Sequence, residues 1–361
     1  MNKEKKLNYK NLDFIKYICS VIIIIVHMKP FFNISQPLHF VFNNVLGRFC
    51  VPFFFLLAGY FIASKEKDNK NYIDKYIKST VKVYVVWGII YIPIVIGFGI
   101  DNWSIITEYA TNFGINVSHI IPLLLVLSPI IFILSLITIG PFYHLWYFPA
   151  LILALVLLKK WKEKFRIKSL LIISFVLLLF GATETYYGIF PDFIKNLLSY
   201  YFDTFITTRN FLFFGLFYVV LGYFMGQRKQ IKIKHSFLKF VLFLVLLFIE
   251  GLFLQNIVRL NSNIMLLSIP VTYYLFNFTV LTNMNFPTKL KYSFRDLSKY
   301  YYLTHALVIY ITSKIVQILN IKIMSLFEVF VYIIIVIIIT HILSILFIKL
   351  KGKYPKIIIW F

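Results

Sequence analysis

The chain is dominated by apolar runs long enough to cross a lipid bilayer, and no other feature limits its fold so strongly. In hydrocarbon every backbone polar group must be satisfied within the protein, so such a chain folds as helices or as a closed barrel. The runs are continuous rather than alternating, which selects helices. Candidate spans fall at 14–32, 45–63, 81–99, 145–158, 169–183, 211–226, 237–254, 264–281, 300–319 and 329–348. An eleventh run, 119–139, is interrupted by Pro122 and Pro129. Composition agrees: 60% of the 361 residues are hydrophobic and 14% charged, against about 45–50% and 25% in a soluble domain.

A net charge of +23 would suggest nucleic acid in a soluble protein. Here its distribution reports topology instead, because lysine and arginine collect on the cytoplasmic side of membrane proteins. If 119–139 does not cross, 30 of the 37 Lys and Arg fall on one side. If it crosses, the split becomes 16 against 21. The expected fold is therefore all-α: a polytopic membrane bundle of about ten transmembrane helices, with 119–139 as a re-entrant or interfacial hairpin. Both termini are expected in the cytoplasm, in a plasma membrane. The first run follows Lys3, Lys5 and Lys6 like a signal sequence, but it is too long and lacks a small-residue cleavage site, so a retained helix is expected. No soluble domain, repeat or low-complexity linker interrupts the chain, which reads as one membrane domain, 1–361. Its two cysteines, Cys19 and Cys50, fall towards opposite membrane faces, so neither a disulfide nor a metal site is expected.

The stretch Asn11–Phe32 departs from plain hydrophobicity. Asp13, Lys16, Ser20 and His27 fall within about 60° of one another on a helix. Lys16 and His27 are separated by roughly 16 Å of rise, so the stripe runs from one surface past mid-membrane. Ionisable groups at that depth usually face a bundle interior, a cavity or a partner. One histidine alone is as well explained by a helix–helix hydrogen bond; four polar groups on one stripe favour a functional face. Arg48, near the outer surface, suits either an anion contact or snorkelling to headgroups. Lys75, Lys78 and Lys82 form a basic face at the inner surface that suits phosphate, although positive-inside bias produces the same pattern. His144 and Trp146 mark the outer mouth of the fourth span. Tyr302 and His305 are neighbours on one helical face. Glu184 reads as a surface carboxylate, and His341 as at most an interhelical bond. Phosphate-binding glycine loops, nucleophile elbows and Cys/His metal spacings are absent from the sequence.

Taken in order, these segments resemble the acyltransferase-3 family of integral membrane proteins, which modify bacterial envelope sugars and lipids with O-acyl groups. The family opens with Asp, a basic residue, ten residues and His, matched by Asp13, Lys16 and His27, with lysine in place of the commoner arginine. VPFFFLLAGYFI resembles its FFxxSG segment, with Ala58 where serine is typical. Lys75-Tyr-Ile-Lys78 stands where the family has RxxR, and HLWY (144–147) and YLTH (302–305) resemble two further signatures. KVYVVWGIIYIP, HLWYFPALI and RNFLFFGLFYVVLG are similar to the membrane half of vancomycin-resistance serine racemases. Those carry a fused pyridoxal-phosphate domain. This sequence ends after its last apolar run, so neither racemase activity nor pyridoxal phosphate is expected of it.

The resemblance implies an O-acyltransferase of the cell envelope, with acyl-CoA, most simply acetyl-CoA, as cytoplasmic donor. It implies Lys75 and Lys78 as contacts to the donor's phosphates and His27 as the catalytic base, with Asp13 pairing Lys16. Arg48, His144, Trp146, Tyr302 and His305 would shape the acceptor site for an envelope glycan or lipid-linked acceptor. The partners are then the lipid bilayer and that acceptor, with no nucleic acid. A transporter for a small polar solute such as serine is the alternative, and a scaffold for a partner envelope enzyme the third. The topology is testable directly. A cysteine at Ala110 should react with an impermeant thiol reagent added outside, and one at Lys162 should not; labelling at 162 would mean that 119–139 spans.

Overall fold

The computed structural model describes residues 9–112, 120, 130, 133–136, 140–205, 207–228, 233–257, 261–281 and 292–353. Most of the 119–139 run therefore lies outside the described residues. Among the described residues the protein is helical and contains no strand. The helices used below, among the described residues, are α1 (Tyr9–Met28), α2 (Gln36–Glu66), α3 (Tyr72–Asp101), α4 (Trp103–Asn112), α5 (Tyr147–Trp161) and α6 (Ile167–Ala182). There follow α7 (Asp192–Phe205), α8 (Phe211–Gln227), α9 (Ser236–Gln255), α10 (Ser268–Leu281), α11 (Phe294–Ile318) and α12 (Leu326–Lys353). Five described helices (the first from Lys10, then α2, α3, α9 and α12) are long and apolar enough to cross a membrane.

Helix α2 is the axis of the bundle. Of its most apolar window 72% is buried, against 17% for α9 and 22% for α12, which leaves the latter two for lipid. Its partner α8 approaches to backbone contact. A Cβ on Gly59 would lie 2.0 Å from the Val219 carbonyl oxygen, and one on Gly222 would lie 1.9 Å from that of Leu56. Gly226, one turn further, meets the Tyr60 carbonyl. Small residues that let backbones touch are the usual basis of helix pairing in lipid, where burial from water supplies little. At one end of this pair, Lys162 binds Glu66 at 2.7 Å and the Tyr223 hydroxyl donates to the same carboxylate at 2.7 Å, tying α5 to both helices.

A second group packs on α11. Helices α1 and α11 run parallel, as the ordered pairs Phe14–Phe294, Tyr17–Tyr301 and His27–His305 require. Helix α3 is also parallel to α11, with Tyr91 at Leu303 and Asp101 paired with Lys314. Helix α5 runs against α3, since Lys159 meets Asp74 at 2.7 Å while Phe148 stacks on Tyr84. With 15 residues, α5 rises only about 22 Å, less than the roughly 30 Å of a hydrocarbon core. The turn that precedes it, 140–146, consequently sits beside the middle of α3, where Phe142 stacks on Tyr91.

Two expectations are overturned here: Cys19 and Cys50 do not lie towards opposite faces but are both buried, within hydrogen-bonding reach of each other in one core. Glu184 is not a surface carboxylate but buried, accepting the Thr208 amide at 3.0 Å, the Thr208 hydroxyl and the Asn261 amide at 2.9 Å. Glu250 does the same for the start of α10, accepting the Leu266 and Leu267 amides at 2.7 and 3.0 Å. Both carboxylates satisfy loop donors that would otherwise be orphaned inside an apolar body.

The glycine contact generates a prediction. Gly222→Ala forces a methyl into the Leu56 carbonyl and should cost more than about 2 kcal/mol of unfolding free energy in mixed micelles. Gly99→Ala, where a Cβ meets open space, should change stability by no more than about 1 kcal/mol, in the stabilising direction. Equal effects would show that close approach is not what holds α2 to α8.

Candidate functional site

The polar stripe of α1 faces inward and meets groups from three other segments. At its far end the rings of His27 and His305 stack with centroids 5.3 Å apart, and His144 stands edge-on to His305 at 5.0 Å. Three imidazoles from α1, the 140–146 turn and α11 thus share one site. Tyr143 closes on His27 at 4.9 Å, and Tyr91 on His144 at 4.7 Å.

Each member has a local cause. Gly140 adopts φ +80°, and a Cβ there would strike the Leu145 and Trp146 backbone at 2.7 and 2.8 Å, so only glycine starts this turn. The turn drops His144 into the interior, 1% exposed. Its carbonyl accepts the Tyr302 hydroxyl at 2.6 Å, which clamps the turn to α11. The Tyr91 hydroxyl donates to the Leu303 carbonyl at 2.9 Å and accepts the Leu307 amide at 3.1 Å, the two groups an α-helix normally pairs with each other. A side chain inserted there wedges α11 at the turn that carries His305.

Hydrogen bonding fixes one tautomer. His305 Nδ1 lies 3.0 and 2.8 Å from the carbonyl oxygens of Tyr301 and Tyr302, acceptors that require a proton on that nitrogen. Nε2 therefore carries the lone pair, and it is buried without a hydrogen-bond partner among the described residues. Both ring nitrogens of His144 are in the same state. Buried polar atoms left unpaired are uncommon and are normally taken up by water or a ligand. Chemically, the site offers imidazole lone pairs in a setting with little water to compete for them.

The near end of the stripe opens into a cavity of about 340 Å³ lined by Lys16, Tyr76, Thr80, Tyr147, Arg295, Lys299, Tyr302 and Lys351, among others. Asp13 pairs with Arg295, at 3.3 Å to NH2 and 3.4 Å to Nε, rather than with Lys16 as expected. Arginine's fork engages both carboxylate oxygens, whereas Lys16 turns towards the cavity. Tyr302 belongs to both ends: its ring lines the cavity and its hydroxyl holds the histidine turn.

Of the residues singled out in the sequence, His27, His144, Tyr302 and His305 meet in one cluster, and Asp13 and Lys16 stand below it on the same stripe. Trp146 lies beside it, under the guanidinium of Arg209 at 4.7 Å. Lys75 and Lys78 are exposed on a flank of α3 that Tyr76, Ser79, Thr80 and Val83 turn away from, those four lining the cavity. Arg48 bonds Ser262 at 2.8 Å and Asn44 at 3.3 Å, joining α2 to the segment before α10. Sequence reasoning missed Tyr91, Arg209, Arg295, Lys299 and Lys351. Tyr91 alone carried a signal, a phenol in the middle of an apolar run; the cations were absorbed into the count of loop charge. No group of metal-binding side chains occurs among the described residues.

A helical body with membrane-length, apolar helices defines an integral membrane protein. The acyltransferase-3 profile, described as an acyltransferase domain, matches residues 9–349, and the chain belongs to that family of membrane acyltransferases. It is similar to an amino-acid racemase of Enterococcus faecalis, 28% identical over 289 residues that make up 76% of this chain and 36% of that protein. It is also similar to a serine/alanine racemase of Enterococcus gallinarum, 24% identical over 83% of this chain and 41% of that protein. The chain thus spans well under half the length of these curated relatives. No solved structure matches.

The clamp on the histidine turn can be tested. Tyr302→Phe leaves the buried His144 carbonyl without its donor and should cost about 1 kcal/mol, with faster amide exchange confined to 140–148. Unchanged exchange there would mean that packing alone holds the turn.

Proposed function

We propose that the protein is a membrane O-acyltransferase that moves an acyl group, most simply acetyl, from acyl-CoA to a hydroxyl of an envelope glycan or lipid-linked acceptor. One observation carries the reading: a cavity lined by Lys16, Arg295, Lys299 and Lys351 ends at Tyr302, directly below the three imidazoles. The cations suit the donor's phosphates, and the exposed Lys75 and Lys78 add charge at the same membrane face. The cavity takes the pantetheine arm, so the thioester rises towards the histidine level without the nucleotide leaving the surface.

His27 removes the acceptor's hydroxyl proton as the oxygen attacks the thioester carbonyl carbon. The C–S bond breaks, and the proton passes to the departing thiolate, leaving ester and free CoA. General-base help of this kind is worth about 10²–10⁴-fold in rate. His305, held as the Nδ1–H tautomer, keeps an Nε2 lone pair beside His27 to share that proton. Neither a metal nor pyridoxal phosphate takes part. Ten crossings with both termini cytoplasmic fit this scheme, and the parallel run of α1, α3 and α11 agrees with the parity of that count. The names of the racemase relatives favour a second reading, passage of a small amino acid such as serine along the same stripe.

Purified protein given labelled acetyl-CoA and envelope extract should transfer label. His27→Gln keeps hydrogen bonding but is a far weaker base, so it should stay folded and lose at least about 10²-fold in rate; the wild-type rate should fall in acid as the imidazole protonates. Full activity in His27→Gln would remove the proposed base, and serine uptake into proteoliposomes without label transfer would favour the transport reading. Arg295→Gln with Lys299→Gln should raise the donor KM more than Lys75→Ala with Lys78→Ala does. High salt should mimic the surface pair more than the cavity pair. The reverse order would move the donor's phosphates to the flank of α3.

A further inference from the structure

Arg209 is the feature of the site that the acyl-transfer scheme leaves unused. It precedes α8, and its guanidinium lies over the face of Trp146 at 4.7 Å. Among the described residues no side chain or carbonyl hydrogen-bonds that guanidinium, and no carboxylate pairs with it. The nearest acid, Glu184, is already engaged by Thr208 and Asn261. Asn210 occupies the first amides of α8, accepting from Leu212 and Phe213 at 3.0 Å each, so the helix end does not compete for an anion. Arg209 and Lys29 are both exposed and both within electrostatic reach of His27. The outer mouth of the histidine site is therefore cationic, and it is rimmed by the exposed Tyr143 ring.

A guanidinium held flat on an indole is pre-aligned, and its free edge presents a planar fork matched to a carboxylate or phosphate. We propose that Arg209, seated on Trp146, binds an oxyanion carried by the acceptor close to the hydroxyl that His27 activates. The substrate class is thus narrowed, within the acyl-transfer reading, to hydroxyl compounds bearing a carboxylate or phosphate near the reacting oxygen. Neutral sugars without such a group would bind poorly. The arrangement also gives orientation: the anion at Arg209 anchors one end while the hydroxyl points to His27, so only a hydroxyl at fitting reach is acylated.

The test uses the full chain in phosphatidylcholine nanodiscs, where no anionic headgroup competes. Two matched pairs of probes are titrated, lactate against lactamide and α-glycerophosphate against glycerol, with Trp146 fluorescence as readout and Trp146→Phe as the blank. At least one anion should quench saturably while its neutral partner does not, and which one does so tells carboxylate from phosphate. Arg209→Gln should weaken that binding by at least about tenfold, the minimum for losing a charge-assisted pair, and Arg209→Lys should fall between. Equal binding of an anion and its neutral partner, no binding by either anion, or an unchanged affinity in a folded Arg209→Gln overturns the proposal. If Arg209-dependent binding occurs but no label moves from acyl-CoA, the anion site stands and the acyltransferase reading falls. If label moves with the same acceptor KM in Arg209→Gln, the reverse holds.

Discussion

The contact between the backbones of α2 and α8 is the constraint from which the remaining architecture follows. In lipid, two helices gain little by leaving the solvent, and what holds them is the quality of their mutual fit. At Gly59 and Gly222 the fit is closer than any side chain would permit. That pair gives α2 its burial, and α2 also carries Phe54 and Phe55, the latter packed on Phe214 and Gly215 of α8 as well. Against those rings stand Tyr147 and Trp146, which fix where α5 begins. The level of the histidine turn is therefore set by two glycines far from it.

Much of the fold was legible because a bilayer permits so few solutions. Apolar run length gave the all-helical class, while five of the described helices, against the ten crossings expected, are long and apolar enough to span. The site was legible in its parts but not in its assembly. His27, His144 and the Tyr302–His305 pair were each visible as polar groups in apolar surroundings, yet spacing along a helix says nothing about which helices touch. Asp13 was expected beside Lys16 because they share a face; Arg295, distant in sequence, offered the better geometry for two carboxylate oxygens. Glu184 looked exposed because it follows an apolar run at the start of a long connection between spans, whereas its burial answers the amide and hydroxyl of Thr208. Such pairings depend on the fold and leave no local trace.

The site itself stores unspent hydrogen-bonding capacity. Other buried groups are answered closely, as where Glu250 serves two amides and Tyr91 serves both a carbonyl and an amide of α11. Only around the imidazoles do buried nitrogens cluster without partners among the described residues. Packing holds the His144 ring in place without a hydrogen bond to either nitrogen, while His305 is held through Nδ1 alone and keeps Nε2 unengaged. That pattern belongs to groups that act on something passing through rather than on each other.

The shortness of α5 has an electrical consequence. Because the cavity rises from one face and the 140–146 turn descends from the other, the insulating layer between them is much thinner than the membrane. What remains is a layer of rings, the pairs Tyr91–Phe142 and Phe148–Tyr302, bridged by His144. Any potential across the membrane falls mainly over that layer. The aromatic packing is therefore a dielectric barrier as much as a scaffold, since a gap wide enough for a file of water would let protons bypass the site and discharge the cell.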